Sequence, residues 1–235
     1  MGEVVHFASG GRVCSGYLAT PGSETGPGSE TGPGVVVIQE WWGLVPHIKE
    51  VADRMADEGF VALAPDLYHG EETAEPDEAG KLMMEVEIDQ AAHDMTNAVD
   101  YLKTHPSVRG QGIGVVGFCM GGGLALWLGC LDPEVKAVVP FYGVAGWPDI
   151  EPDFARSRAA FLGHYAEHDE WAGPEVAAAL EARLRGLGKE ATFHVYPGTT
   201  HAFFNDHRAE AHDRAAADLA WERTMAFLHQ HLDAV

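Results

Sequence analysis

Gly114-Val115-Val116-Gly117-Phe118-Cys119-Met120-Gly121-Gly122-Gly123 is the stretch on which the reading of this chain turns. Residues 113–116 are apolar and mostly β-branched, as a parallel strand buried on both faces requires. Residues 124–131 are apolar and suit a buried helix. Between the two, Gly-x-Cys-x-Gly forces a sharp strand-to-helix turn that lifts the Cys119 side chain clear of the sheet. Such a turn is strained, so its neighbours must be small, and Gly117 and Gly121 meet that need. It also sets the sulfur at a helix N-terminus, where the dipole favours negative charge and free backbone N–H groups can hold an oxyanion. Glycine-rich turns of this kind can also bind phosphate, and a free cysteine is often only a small core residue. The stretch, however, lacks the Gly-Lys-Ser/Thr ending of a P-loop and the spacing of a dinucleotide fingerprint.

Working outward, strands and helices alternate. Strands are expected at 35–39, 60–64, 135–140, 159–163 and 191–196, and helices at 47–58, 81–105, 174–186 and 213–231. Residues 68–80 read as polar and irregular, and 164–170 as a loop. At the start, 4–7 and 12–19 read as two strands joined at Gly10-Gly11, a hairpin signal. The fold class is therefore α/β, with a mostly parallel central sheet, helices on both faces and an N-terminal antiparallel hairpin. No shift in composition divides the chain, so residues 1–235 are expected to form a single domain. The segment 22–33 writes Gly-Ser-Glu-Thr-Gly-Pro twice in tandem. It is polar and rich in turn formers, and reads as a mobile surface loop.

Composition narrows the function. Fifteen Lys and Arg against 36 Asp and Glu give the 235-residue chain a formal charge of −21, which repels phosphate backbones and anionic membrane surfaces. Neither nucleic acid nor membrane is expected as a partner. Three cysteines, Cys14, Cys119 and Cys130, are too few for a disulfide framework and form no CxxC pair. With no basic-then-apolar leader and no membrane-length apolar run, a cytoplasmic location is expected. Metal chemistry finds little support in the spacing. His164 and His168 lie four apart but outside any expected helix, and no HExxH motif or Cys–His cluster appears. No metal and no cofactor are expected.

Three polar residues stand at the C-terminal ends of expected strands, where open α/β sheets place ligands: Cys119, Asp169 and His201. Their order is nucleophile, acid, histidine, which is the α/β-hydrolase order. The types fit one chemistry. A thiol needs a base to take its proton, and a carboxylate fixes the imidazole tautomer and stabilises imidazolium. Taken singly, Asp169 could simply cap the helix after it, and His201 is one of 13 histidines.

With those residues placed, the chain resembles the dienelactone hydrolase family, a cysteine-dependent branch of the α/β-hydrolases. The resemblance runs from about residue 35 to the C-terminus. It is carried by Gln39-Glu40-Trp41-Trp42-Gly43, Ala64-Pro65-Asp66-Leu67-Tyr68, Gly117-Phe118-Cys119-Met120-Gly121-Gly122, the Asp169 loop, Tyr196-Pro197-Gly198 and His201-Ala202-Phe203. The resemblance implies a catalytic triad of Cys119, His201 and Asp169. It also implies that Glu40 contacts and tunes the thiol, and that the backbone N–H groups of Trp41 and Met120 form the oxyanion hole. Members that open dienelactone grip its carboxylate with two arginines. At the first of those positions this chain has Asn205; in 71–84 it has no arginine, only Lys81, and Arg208 is out of register. A pocket for a less polar substrate is expected instead, lined by Trp42, Phe141, Tyr142, Trp171, Phe203 and Asn205, with Trp41 and Trp147 as further aromatics.

The expected activity is cysteine-dependent hydrolysis of a small ester or lactone through an acyl-enzyme, by a monomer or homodimer. The alternatives are the same triad acting on thioesters or on a carbon–carbon or carbon–halogen bond, and a non-catalytic small-ligand receptor on the same fold.

Overall fold

The computed structural model describes residues 2–22, 31–145 and 151–233 of the chain. In chain order the elements are β1 (Glu3–Ser9), β2 (Arg12–Ala19), β3 (Gly32–Ile38), α1 (Pro46–Asp57), β4 (Val61–Pro65), α2 (Pro76–Glu85) and α3 (Ile88–Thr104). They continue with β5 (Val108–Phe118), α4 (Met120–Leu131), β6 (Val135–Phe141), β7 (Ala160–His168), α5 (Pro174–Gly186), β8 (Ala191–Thr200) and α6 (Arg214–Leu232).

The eight strands form one sheet in the order β1-β2-β4-β3-β5-β6-β7-β8. β1 and β2 make the expected hairpin, and β2 joins β4 antiparallel; from β4 to β8 every pairing is parallel. Alternation along the central strands divides the core. Val35 and Val37 of β3, with Val116 and Phe118 of β5, pack under α1 and α6. Val36, Ile38, Ile113 and Val115 pack on the other face, under α3 and α4. Both faces are covered, which is why these strands are apolar at every position rather than at alternate ones. Among the described residues no helix is long and apolar enough to cross a membrane.

Three expectations are corrected. The helix expected over 81–105 is two helices. α2 already begins at Pro76, where a proline suits the first turn, and the chain turns through Val86 and Glu87, whose ψ angles of 118° and 96° are extended. This lets α3 lie on the sheet while α2, with Ala79 as its one buried side chain, stays at the rim. The loop expected over 164–170 is strand as far as His168, because β7 and β8 stay paired and the buried His164 ring is satisfied from both sides. Its Nδ1 lies 2.8 Å from the Tyr196 hydroxyl and its Nε2 3.0 Å from Thr224 Oγ1. Of the tandem repeat expected to be a loop over 22–33, Gly32 and Pro33 belong to β3; residues 23–30 lie outside the described residues.

The topology creates one special crevice. From β3 the chain crosses to β4 on one side, while β5 lies on the other side and leads on to β6. The loops after β3 and β5 therefore diverge, and the gap at their C-terminal ends is the switch point where such sheets bind ligands. Glu40-Trp41-Trp42 follows β3 and Cys119 follows β5.

Candidate active site

Cys119 is the hinge between β5 and α4, with φ 55° and ψ −116°. A non-glycine residue held there costs about 1–3 kcal/mol, which the surroundings must offset. They do so through hydrogen bonds on both sides. The Cys119 N–H donates to the Phe141 carbonyl at 3.0 Å, and its own carbonyl accepts from Gly122 and Gly123 at 3.0 and 3.3 Å. Close packing leaves no room for side chains beside it. A Cβ on Gly117 would fall on the Gly121 carbonyl, and one on Gly121 would fall on the carbonyls of Ile38 and Gln39. Met120 is the first residue of α4, so its N–H has no acceptor within the helix. Trp41 N–H takes part in no backbone hydrogen bond among the described residues.

His201 and Asp169 follow β8 and β7, which are neighbours in the sheet. His201 Nδ1 lies 2.6 Å from Asp169 Oδ2, and the Asp169 side chain is wholly buried. Oδ1 of the same carboxylate accepts from the N–H groups of Trp171 and Ala172 at 2.9 and 3.0 Å. Burial pushes the Asp169 carboxyl up, but the imidazole and these N–H groups outweigh it and hold the group below the usual carboxylate range. Burial likewise pushes His201 down. The bond to Asp169 and the neighbouring Cys119 thiol act the other way and win, raising the imidazole to about 10. Its buried Nε2 has no aligned hydrogen-bond partner among the described residues.

Glu40 is buried and lines the same cavity as Cys119 and His201. Its carboxylate accepts from Asn205 Nδ2 at 2.7 Å, and no hydrogen bond joins it to the thiol. Burial raises the Glu40 carboxyl above its usual range, against the pull of Asn205 and of the charges on His201 and Arg208. Tyr142 packs its ring 4.9 Å from the His201 ring, and its buried hydroxyl has no aligned hydrogen-bond partner among the described residues. Burial, then the nearby Glu40 carboxylate, push that phenol well above its ordinary range.

The cavity over these groups holds about 560 Å³, within the range of small-molecule sites. Its walls are mostly apolar: Trp41, Trp42, Met83, Met120, Leu124, Tyr142, Val144 and Trp171 among them. A model of the dienelactone hydrolase family matches residues 15–232. The chain belongs to the dienelactone hydrolase family. It is 37% identical to the usf protein of Aquifex pyrophilus, over 99% of this chain and 100% of that one. It is 35% identical to an Aquifex aeolicus protein provisionally assigned as a carboxymethylenebutenolidase, again over 99% and 100% of the two chains. In solved structures it resembles a provisionally assigned dienelactone hydrolase from Klebsiella pneumoniae, with a TM-score of 0.86 and 26% identity over 98% of this chain and 99% of that one. Like its family, the protein is a hydrolase of carboxylic esters or lactones.

Within this dienelactone hydrolase fold, some residues expected in the pocket lie elsewhere. Phe141 and Phe203 are fully buried and do not line the cavity. Phe141 stacks on Phe118 at 4.7 Å, and Phe203 packs on Tyr196 and Tyr142 at 4.9 and 5.6 Å. Asn205 is also buried away from the cavity, its amide spanning Glu40 and the His207 N–H. Trp42, Tyr142 and Trp171 do line it, Trp171 as an exposed rim whose ring stands edge-on to His201 at 5.5 Å. Trp147 lies outside the described residues. Arg208, out of register by sequence, reaches the cavity. Its guanidinium lies over the Trp42 ring at 4.8 Å and pairs with Glu210 at 2.6 Å. No spacing rule points to Arg208, Glu210 or Met83, because the segments that bring them in are irregular or belong to α2.

Proposed function

We propose that this protein hydrolyses a small, uncharged ester or lactone through an acyl-enzyme on Cys119. The observation that carries the reading is one shared cavity in which a strained cysteine at a helix N-terminus meets an imidazole fixed by a buried carboxylate. Cys119 Sγ, its proton already passed to His201 Nε2, attacks the carbonyl carbon, and Asp169 holds the imidazolium. The carbonyl oxygen takes the negative charge and accepts from the N–H groups of Trp41 and Met120. When the tetrahedral species collapses, the carbon–oxygen bond breaks and the leaving alkoxide takes the proton from His201. A water then gives its proton to His201 and attacks the thioester, and the sulfur departs as thiolate, which restores its pairing with the protonated His201. Glu40 sets the electrostatic balance beside the thiol, with Asn205 as its anchor. The apolar walls favour substrates whose acyl and leaving groups are aromatic or aliphatic.

The test is mass spectrometry of the intact protein during turnover of an aryl ester. An acyl adduct should appear on the Cys119 peptide, and Cys119→Ala should lose both the adduct and turnover while keeping its circular dichroism spectrum. Turnover by Cys119→Ala close to that of the parent would reject the assignment.

A further inference from the structure

Apart from the catalytic triad, a second set of reactive side chains is gathered from three elements. Cys14 lies on β2, His69 in the turn after β4 and Asp94 on α3. Cys14 Sγ, a ring nitrogen of His69 and a carboxylate oxygen of Asp94 all lie within 4.8 Å of one another. We propose that these three residues bind one divalent cation of the zinc class, with its remaining coordination position open to water.

Asp94 carries the inference furthest. It is fully buried, and its two oxygens are treated differently. Oδ1 accepts from Gln90 Nε2 at 2.9 Å, and that amide is itself held on Ser9. Oδ2 has no aligned hydrogen-bond partner among the described residues, although His69 Nε2 stands 3.1 Å from it as an ion pair and the Cys14 thiol acts on the same carboxylate. A buried carboxylate oxygen without a donor is costly, and structures seldom leave one so. An imidazole nitrogen that approaches it without alignment suggests that both groups are aimed at a common point. A tetrahedral cation with ligands at about 2.0–2.1 Å separates its nitrogen and oxygen donors by roughly 3.3 Å, close to the spacing seen here.

The donor set selects the ion. One thiolate, one imidazole and one carboxylate suit zinc, whereas calcium and magnesium take oxygen ligands. Access exists through His69, whose side chain is 36% exposed while Asp94 is wholly buried. Binding involves no change of oxidation state. The S–H bond of Cys14 breaks, the metal–sulfur bond forms and the proton leaves to solvent. The cation would tie the hairpin strand, the turn after β4 and α3 together on one face of the sheet. Sequence spacing cannot reveal such a site, because the three ligands meet only through the antiparallel pairing of β2 with β4 and the packing of α3 across β1 and β4.

The test uses the full chain carrying Cys119→Ser, so that the catalytic thiol cannot contribute, stripped with chelator, desalted and titrated separately with Zn²⁺ and Co²⁺. One equivalent should bind, with release of a proton, a dose-dependent rise in Tm and a thiolate-to-cobalt charge-transfer band. The band should vanish in Cys14→Ala. His69→Ala, a change at a partly exposed position, should leave the fold intact, weaken binding by at least about tenfold and remove the rise in Tm. The proposal is overturned by any of three results: no stoichiometric binding, a charge-transfer band that survives Cys14→Ala, or unchanged affinity in His69→Ala. Should Cys14→Ala fail to fold, His69→Ala decides.

Discussion

At the residue scale, the coupling of His201 to Asp169 fixes the sign of a pH effect. The imidazole is held at about 10 against an ordinary 6.5. A histidine raised in the folded state contributes stability that is complete below its unfolded pKa and is lost as pH rises through the folded one. In the proposed mechanism the same proton serves the leaving group, so the alkaline limb of kcat/KM should fall near pH 10. In Asp169→Asn the shape of the side chain survives but the charge does not, and burial, which pushes His201 down, is then opposed by the Cys119 thiol without help from a carboxylate. The limb should then move to lower pH by about a unit or more, and kcat should drop by up to about 10⁴-fold. A pH–rate profile of the variant checks this, and an unmoved limb would assign it to another group.

At the element scale, the site depends on how closely β3, β5 and α4 approach. Gly121 sits against Ile38 at the end of β3 and against Gln39, just before Glu40 and Trp41. Gly121→Ala should therefore destabilise the protein by about 1–3 kcal/mol and displace the Trp41 loop, so that activity falls more than the folded fraction does. Urea unfolding and turnover on the same preparation separate the two effects. In α1, His47 is buried against Phe118 and Phe204, with its Nδ1 3.2 Å from Asp206. Burial lowers its pKa to about 4 from 6.5. A depressed histidine contributes stability that is full above pH 6.5 and lost as pH falls toward 4, on the order of 3 kcal/mol in all. His47→Leu removes this term, so the stability difference between parent and variant should shift in favour of the variant between pH 7 and pH 4. A constant difference across that range would refute the assignment.

At the scale of the whole molecule, charge shapes selectivity. The chain carries −21, and the cavity adds Glu40 and Glu210 to its one arginine. Because Arg208 is paired with Glu210 and His201 with Asp169, little positive charge is left for a substrate carboxylate. A neutral ester should show kcat/KM at least equal to that of its carboxylate analogue, and any bias against the anion should shrink as salt is added. Glu210→Gln frees Arg208, so it should raise kcat/KM several-fold for the anionic ester and leave the neutral one unchanged. Adding Arg208→Ala should cancel that gain. A matched pair of esters measured at two ionic strengths settles the point.

Local signals determined the architecture and marked the candidate nucleophile by themselves. An apolar run, a Gly-x-Cys-x-Gly turn and a second apolar run leave few options for the backbone, because each conformation depends on adjacent residues and on burial from both faces. The order of Cys119, Asp169 and His201 could be read for the same reason, since each follows a strand end. Tertiary structure decided what lines the space above them. Phe141 and Phe203 could equally have faced the cavity or the core, and only the packing of β6, β8 and their loops sent them inward. Asn205 and Arg208 are separated by two residues, yet one is buried on Glu40 and the other reaches the cavity. The strand run from 164 to 168 and the meeting of Cys14, His69 and Asp94 were hidden for the same physical reason. They depend on partners distant in the chain, and no periodicity records which distant groups will share a buried space.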